Sequence, residues 1–193
     1  MARPREFDPS EVLQTAIELF WEKGYYDSSV DEVVRRSGVA KYGIYGTFSS
    51  KRELFMKALK QYASERHRDI QSPIRKPNAS LPEIQQFFSK AVKIITQSGG
   101  QRGCLIVNTG IELGLKDIDI RDFVANFFQE TEDVMACCLT NAVALGQLSN
   151  LSNISALATY LITEFRTVLM LARSGCLRRE IQAHLNIVLK VLD

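Results

Sequence analysis

At four places along this chain a residue able to cap a helix, followed three positions later by glutamate, stands at the head of an apolar run. The four sites are Asp8-Pro9-Ser10-Glu11, Ser29-Val30-Asp31-Glu32, Ser50-Lys51-Arg52-Glu53 and Ser80-Leu81-Pro82-Glu83. A capping side chain accepts from the free N–H groups of the first turn while the glutamate reaches back to the cap, so each site marks a helix start. Pro9 adds a residue pre-set for the first helical position. Apolar residues follow at helical spacing: Leu13, Ala16, Ile17 and Phe20 up to Gly24; then Val30, Val33 and Val34; then Leu54, Phe55, Ala58, Leu59 and Tyr62. The fourth site opens a helix to about Gln97. Helices then follow over roughly Gly103–Leu115, Ile118–Gly146, Asn153–Arg173 and Leu177–Leu192. No alternating strand pattern and no fixed-period repeat accompanies them. The reading is all-α.

At 193 residues, 46% hydrophobic and with net charge +2, the chain can bury a sizeable core and does not have the composition of a disordered one. It begins Met1-Ala2-Arg3-Pro4-Arg5, with no apolar leader, and the charge-free stretch 134–163 is broken by Thr140, Asn141, Gln147, Asn150 and Asn153. That stretch reads as the end of one buried helix, a loop and the start of another, so no membrane partner is expected. Cys104, Cys137, Cys138 and Cys176 form no C-x-x-C pair and no metal-ligand pattern with His67 and His184, so neither a metal nor a disulfide framework is expected. A reducing cytoplasm fits this usage.

The segment 35–54, RRSGVAKYGIYGTFSSKREL, breaks the apolar rhythm. Ser37-Gly38-Val39 ends the second helix with a residue suited to a sharp turn. Lys41–Phe48 is then a helix of two turns that buries Ile44 and Phe48, leaving Lys41, Tyr42 and Thr47 outward and Gly43 and Gly46 bare. Helix, glycine turn and short polar helix make a helix-turn-helix, whose second helix enters the major groove of double-stranded DNA. Charge agrees. Val33–Lys60 carries seven cations against one acid, whereas Gly103–Phe165 carries eight acids against two cations. One end attracts phosphate and the other repels it.

These residues carry a family resemblance. Ala16-Ile17-Glu18-Leu19-Phe20, Lys23-Gly24-Tyr25, Ser28-Ser29-Val30-Asp31-Glu32-Val33, Ser37-Gly38-Val39, Gly43-Ile44-Tyr45, Phe48 and Lys51-Arg52-Glu53-Leu54 resemble, in order and spacing, the DNA-binding domain of the TetR (tetracycline-repressor) family of bacterial transcription regulators. Arg102-Gly103-Cys104-Leu105-Ile106-Val107-Asn108-Thr109 and Leu171-Ala172-Arg173-Ser174-Gly175 are more weakly similar to one subgroup's ligand domain. The resemblance implies an N-terminal three-helix DNA-binding domain (1–50), a connecting helix (51–72) and a larger effector-binding and dimerisation domain (80–193). It also implies a homodimer on a near-palindromic operator, released by a small-molecule or thiol-reactive effector and using no cofactor. Lys41, Tyr42, Gly43, Tyr45 and Thr47 fall at recognition-helix positions. Ser28, Ser29 and Lys51 sit at helix N-termini that favour phosphate. Arg3 and Arg5 form an arm for the minor groove or backbone. One departure is Ala40, where many members have a capping Ser or Thr.

The last two helices are the expected dimer surface, through Ala156, Leu157, Tyr160, Leu161, Phe165, Val168, Leu169 and Ala172, and through Ile181, Leu185, Val188, Leu189 and Leu192. An effector pocket would draw on Phe87, Phe88, Phe123, Phe127 and Phe165. Cys104, at a helix start beside Arg102, is a candidate thiol sensor. No H-E-x-x-H, Walker or G-x-S-x-G motif points to an enzyme. A helical ligand-binding or adaptor protein of the same fold, without operator binding, is the alternative that Ala40 leaves open.

Overall fold

The computed structural model describes residues 7–95, 102–149 and 153–192. The chain divides into two compact units, residues up to 64 and residues from 65. Nine α-helices and no strand lie among the described residues: α1 Pro9–Lys23, α2 Val30–Ser37, α3 Lys41–Thr47, α4 Lys51–Asp69, α5 Leu81–Ile95, α6 Leu105–Leu113, α7 Ile118–Ala144, α8 Ile154–Arg173 and α9 Arg178–Val188.

The capping side chains act as their spacing implies. Asp8 Oδ1 accepts from Ser10 N at 2.9 Å, Ser29 Oγ from Glu32 N at 3.1 Å and Ser50 Oγ from Glu53 N at 3.1 Å. At the fourth site the glutamate bonds instead, Glu83 Oε2 accepting from Ser80 N at 2.9 Å. α2 stops at Gly38, whose φ of 71° is the left-handed conformation that lets its N–H close onto Val34 O.

The first unit is built on Phe20 and Phe55, edge to face with centroids 4.9 Å apart, with Tyr25 also 4.9 Å from Phe55. Val12, Ile17 and Leu19 of α1, Val33 of α2, Ile44 of α3 and Leu54 and Leu59 of α4 are buried. Two ion-pair partners bridge α1 to α2: Glu32 takes Lys23 at 2.8 Å and Arg36 at 2.8 Å, while Arg36 also reaches Glu22 at 2.8 Å.

In the second unit α7 packs along α8, with α5, α6 and α9 around the pair. The segment about Pro73 and Pro77, which falls between the expected connecting helix (51–72) and the expected second domain (80–193), is part of this core. Ile70, Ile74 and Ala79 are buried, Cys138 Sγ donates to Ile74 O, and Asn141 Nδ2 donates to Ala79 O at 2.9 Å. Its turns satisfy their carbonyls on α7, so two prolines here shape a packed turn rather than a solvated tether. α8 is long and apolar enough to cross a membrane by length and composition, but Leu161, Ile162, Phe165, Val168 and Leu169 are buried in the unit.

That burial divides the apolar stripes of α8 and α9 differently from the sequence expectation. Leu161, Phe165, Val168, Leu169, Ala172, Ile181, Leu185, Val188 and Leu192 serve the unit's own core. What remains exposed is Tyr160 and Met170 on α8, and Ile187 and Val191 near the chain's end. Ala156, Tyr160, Thr163, Thr167 and Met170 recur at four-three spacing, one continuous stripe on α8.

Candidate nucleic-acid interface

α3 is seven residues long, Ile44 is its one buried member, and Phe48 closes its end. Burying one isoleucine does not hold so short a helix by itself; α2 and the turn at Gly38 fix it from outside. The consequence is a helix with its side chains left outward. Tyr42 is 91% exposed and Tyr45 43% exposed, in a unit whose other aromatic rings mostly pack inward. Lys41 is exposed and its Nζ lies 2.7 Å from Asp31 Oδ1 of α2, which holds the lysine pKa above its ordinary value. Asp31 was not legible as a partner, because only the packing of α2 on α3 brings it beside Lys41. Thr47 is half-buried and its Oγ1 donates to Gly43 O at 3.1 Å, leaving the oxygen's lone pairs for a donor. Ala40 caps α3 with backbone alone.

The flanking positions behave differently from one another. Ser28 is buried and its Oγ donates to Gly24 O at 2.6 Å, so its hydroxyl is spent on the turn. Ser29 is exposed at the N-terminus of α2. Lys51 opens α4 with Nζ 4.4 Å above the Tyr25 ring and 3.5 Å from Tyr26 O, so its charge is aimed by one ring and one main-chain carbonyl. Arg3 and Arg5 lie outside the described residues.

Net charge over this face is smaller than a count from Val33 implies. Extending the window back to Asp31 adds two acids and lowers the net to +4, and Lys41, Arg36 and Lys57 all rest on carboxylates. Exposed pairs of this kind are weak and exchange readily for phosphate.

The pairing has a measurable signature. Glu53 accepts from Lys57 and from Ser49, which together hold its carboxyl down to about 2. A depressed carboxyl pKa contributes stability that is complete above the ordinary value of 4.5 and is lost as pH falls through about 2. The Glu53 carboxyl is therefore expected to titrate by NMR well below 4.5, and to return towards it in Lys57→Ala. A wild-type midpoint near 4.5 would contradict the geometry.

The expected effector residues do not form one pocket. Phe87 and Phe165 touch at 4.8 Å, fully inside the core. Phe127 stacks flat on His67 at 4.9 Å, and Phe123 is half-buried. Burial pushes the His67 pKa down, and its Nε2 is buried with no hydrogen-bond partner. Close by in sequence, buried Gln71 donates to Thr131 at 3.0 Å. A groove of about 500 Å³ between α5 and α9 is lined by Phe88, Val92, Leu185 and Leu189 with Lys93 and Arg178; of the aromatic set it takes only Phe88. Cys104 is the N-cap of α6 and is buried; a Cβ on Gly103 beside it would lie 2.9 Å from Leu169 O, so this turn sits tightly on α8. Among the described residues no cluster of three or more His, Cys, Asp or Glu could hold a metal.

A compact helix-turn-helix with a bare outward helix, followed by a larger helical unit, defines a DNA-binding regulator of transcription. The chain belongs to the TetR family: residues 12–58 match the family "Bacterial regulatory proteins, tetR family" and residues 80–185 match "Tetracyclin repressor-like, C-terminal domain". It is similar to the uncharacterised HTH-type transcriptional regulator YezE of Bacillus subtilis, 29% identical over all of both chains. It is also similar to the HTH-type transcriptional repressor DhaR of Mycobacterium sp., 25% identical over 94% of this chain and 90% of that one. In fold it matches a cysteine mutant of the TetR family regulator CifR, complexed with 26-bp double-strand operator DNA, at a TM-score of 0.84, 24% identity and 98% coverage of each chain.

Proposed function

We propose that this protein is a cytoplasmic, non-enzymatic repressor that binds a near-palindromic double-stranded operator as a homodimer and leaves it when the second unit meets an effector. The observation that carries the reading is Tyr42, 91% exposed on a helix with one buried residue. A large ring is kept in water at a cost unless it has a partner, and a ring beside a lysine on a helix-turn-helix suits a base edge or thymine methyl. Tyr45, Thr47, Ser29 and Lys51 supply phosphate contacts around it. Of the relatives, several are named as transcriptional repressors, DhaR and BdcR among them. A gel shift with DNA from upstream of the chain's own gene tests the reading, the expected result being a complex that unlabelled copies of the same DNA displace and scrambled DNA does not. A shift that both competitors displace equally would refute it.

For the effector, we assign the sensing role to Cys104. It is the N-cap of α6 and its tight turn against α8 gives modification something to disturb. Hypochlorite or quinone is expected to release wild-type protein from operator DNA and to leave Cys104→Ser bound. Equal responses in the two proteins would make Cys104 a packing residue.

A further inference from the structure

Asp31 is out of place on a face that meets phosphate. It lies exposed in the first turn of α2, where its carboxylate repels the DNA backbone. An acid suits a helix start, but α2 is complete without this one. Ser29 Oγ accepts from Glu32 N at 3.1 Å, and the Glu32 carboxylate takes Lys23 and Arg36, which ties α2 to α1. Asp31 turns the other way. Its Oδ1 lies 2.7 Å from Nζ of Lys41, the first residue of α3.

Recognition helices meet base edges with their N-terminal residues, so Asp31 stands at the same entrance as Lys41. Both side chains are more than half exposed, 57% for Lys41 and 69% for Asp31, and they present an ammonium and a carboxylate side by side. That combination fits phosphate poorly, because phosphate offers acceptors alone and would leave Asp31 against negative charge. It complements an edge where acceptors adjoin a donor. In the major groove guanine offers N7 and O6, and its cytosine partner adds the N4 amine at the end of the row. An A·T pair sets its one donor between two acceptors instead, so a lysine finds one acceptor where G·C gives two together.

We propose that Asp31 and Lys41 act as one reader of a G·C base pair, Lys41 donating to guanine O6 and N7 and Asp31 accepting from cytosine N4. Asp31 is then a specificity-determining residue although it belongs to α2 and not to the recognition helix. This rests on the operator-binding reading above. In the complex the two charges stay adjacent and each gains base atoms, so neither is left unpaired against the DNA. The reader carries no net charge. It discriminates between sequences without adding to the general attraction for phosphate.

The test selects binding sites from a randomised duplex with wild type, Asp31→Ala and Lys41→Ala, and then titrates the wild-type site with single base pairs exchanged. Both variants are expected to lose preference at one and the same position of each half-site, a G·C pair in the wild-type motif. Exchanging that pair for A·T should weaken wild type about tenfold, and Asp31→Ala by about threefold or less. Asp31→Ala should also hold scrambled DNA more tightly, with a salt slope steeper by about one contact, because the released Lys41 turns to phosphate. An Asp31→Ala motif identical to wild type, different positions lost in the two variants, or a shared position that is A·T would each overturn the proposal. A measurement without DNA separates these outcomes from failure of the operator reading. Free wild type should show an NMR coupling through the hydrogen bond between Lys41 Nζ and the Asp31 carboxylate carbon. Its absence would refute the pair whether or not the protein binds DNA. A wild type that shows the coupling yet selects no motif would overturn the operator reading, and this assignment with it.

Discussion

Replacing Tyr42 by alanine is expected to weaken operator binding by roughly 1–3 kcal/mol, or about 5- to 150-fold, without lowering the melting temperature. The ring is 91% exposed, so the folded protein loses no packing when it is cut back, and alanine is at least as good a helix former. Any loss of affinity therefore belongs to the complex. Lys41→Ala has a related but smaller effect, because the free protein already satisfies that ammonium on Asp31 at 2.7 Å, and binding must exchange one partner for another. Lys51→Ala should weaken all DNA sequences alike and reduce the salt slope by about one contact, the mark of a phosphate ligand. Anisotropy titrations of these variants separate the roles. Unchanged affinity in Tyr42→Ala and Lys41→Ala together would remove α3 from the interface.

The second large effect is expected from Ile187→Glu, which should convert a dimer to monomers and abolish operator binding at concentrations where wild type is saturated. Ile187 is 70% exposed on α9 and has Val191, 47% exposed, one turn beyond it. The α8 stripe through Tyr160 and Met170 is a second exposed apolar surface of this unit. Two readers on one molecule bind a palindrome with the second contact made intramolecularly, so separating them costs orders of magnitude rather than a factor of two. Leu169 is the wrong position to test, since at 3% exposure a charge there would be buried in the unit's own core and unfold it. Sedimentation of wild type and Ile187→Glu at micromolar concentration, with thermal melting to establish folding, decides. Identical dimers in both would place the interface elsewhere; a wild-type monomer would refute the dimer.

What could be read from the sequence was local. The helix starts were visible because a cap and its glutamate are three residues apart, and Ser29, Ser50 and Asp8 bond as that spacing requires. The recognition helix was visible because Lys41–Phe48 has too little to bury. Contacts between elements were not. Nothing in the spacing of Asp31 and Lys41, ten residues apart across a turn, announces a contact. Hydrophobicity likewise cannot say whether Leu169 faces its own core or a second copy, since both destinations are dry. The aromatic set divided for the same reason: Phe87 and Phe165 pack on each other, and Phe127 stacks on His67. An apolar pattern gives the number of buried rings and not the cavity between them.

Whether α3 reads DNA sequence from a dimer is decided by letting the purified protein choose its own DNA. Fragments of the source genome retained by wild type, but not by Tyr42→Ala, would be sequenced after competition with non-specific DNA. The expected result is a shared near-palindromic motif whose two halves lie on one face of the duplex, enriched by wild type and lost in the variant. Retained fragments with no common sequence, or the same fragments kept equally by Tyr42→Ala, would contradict it.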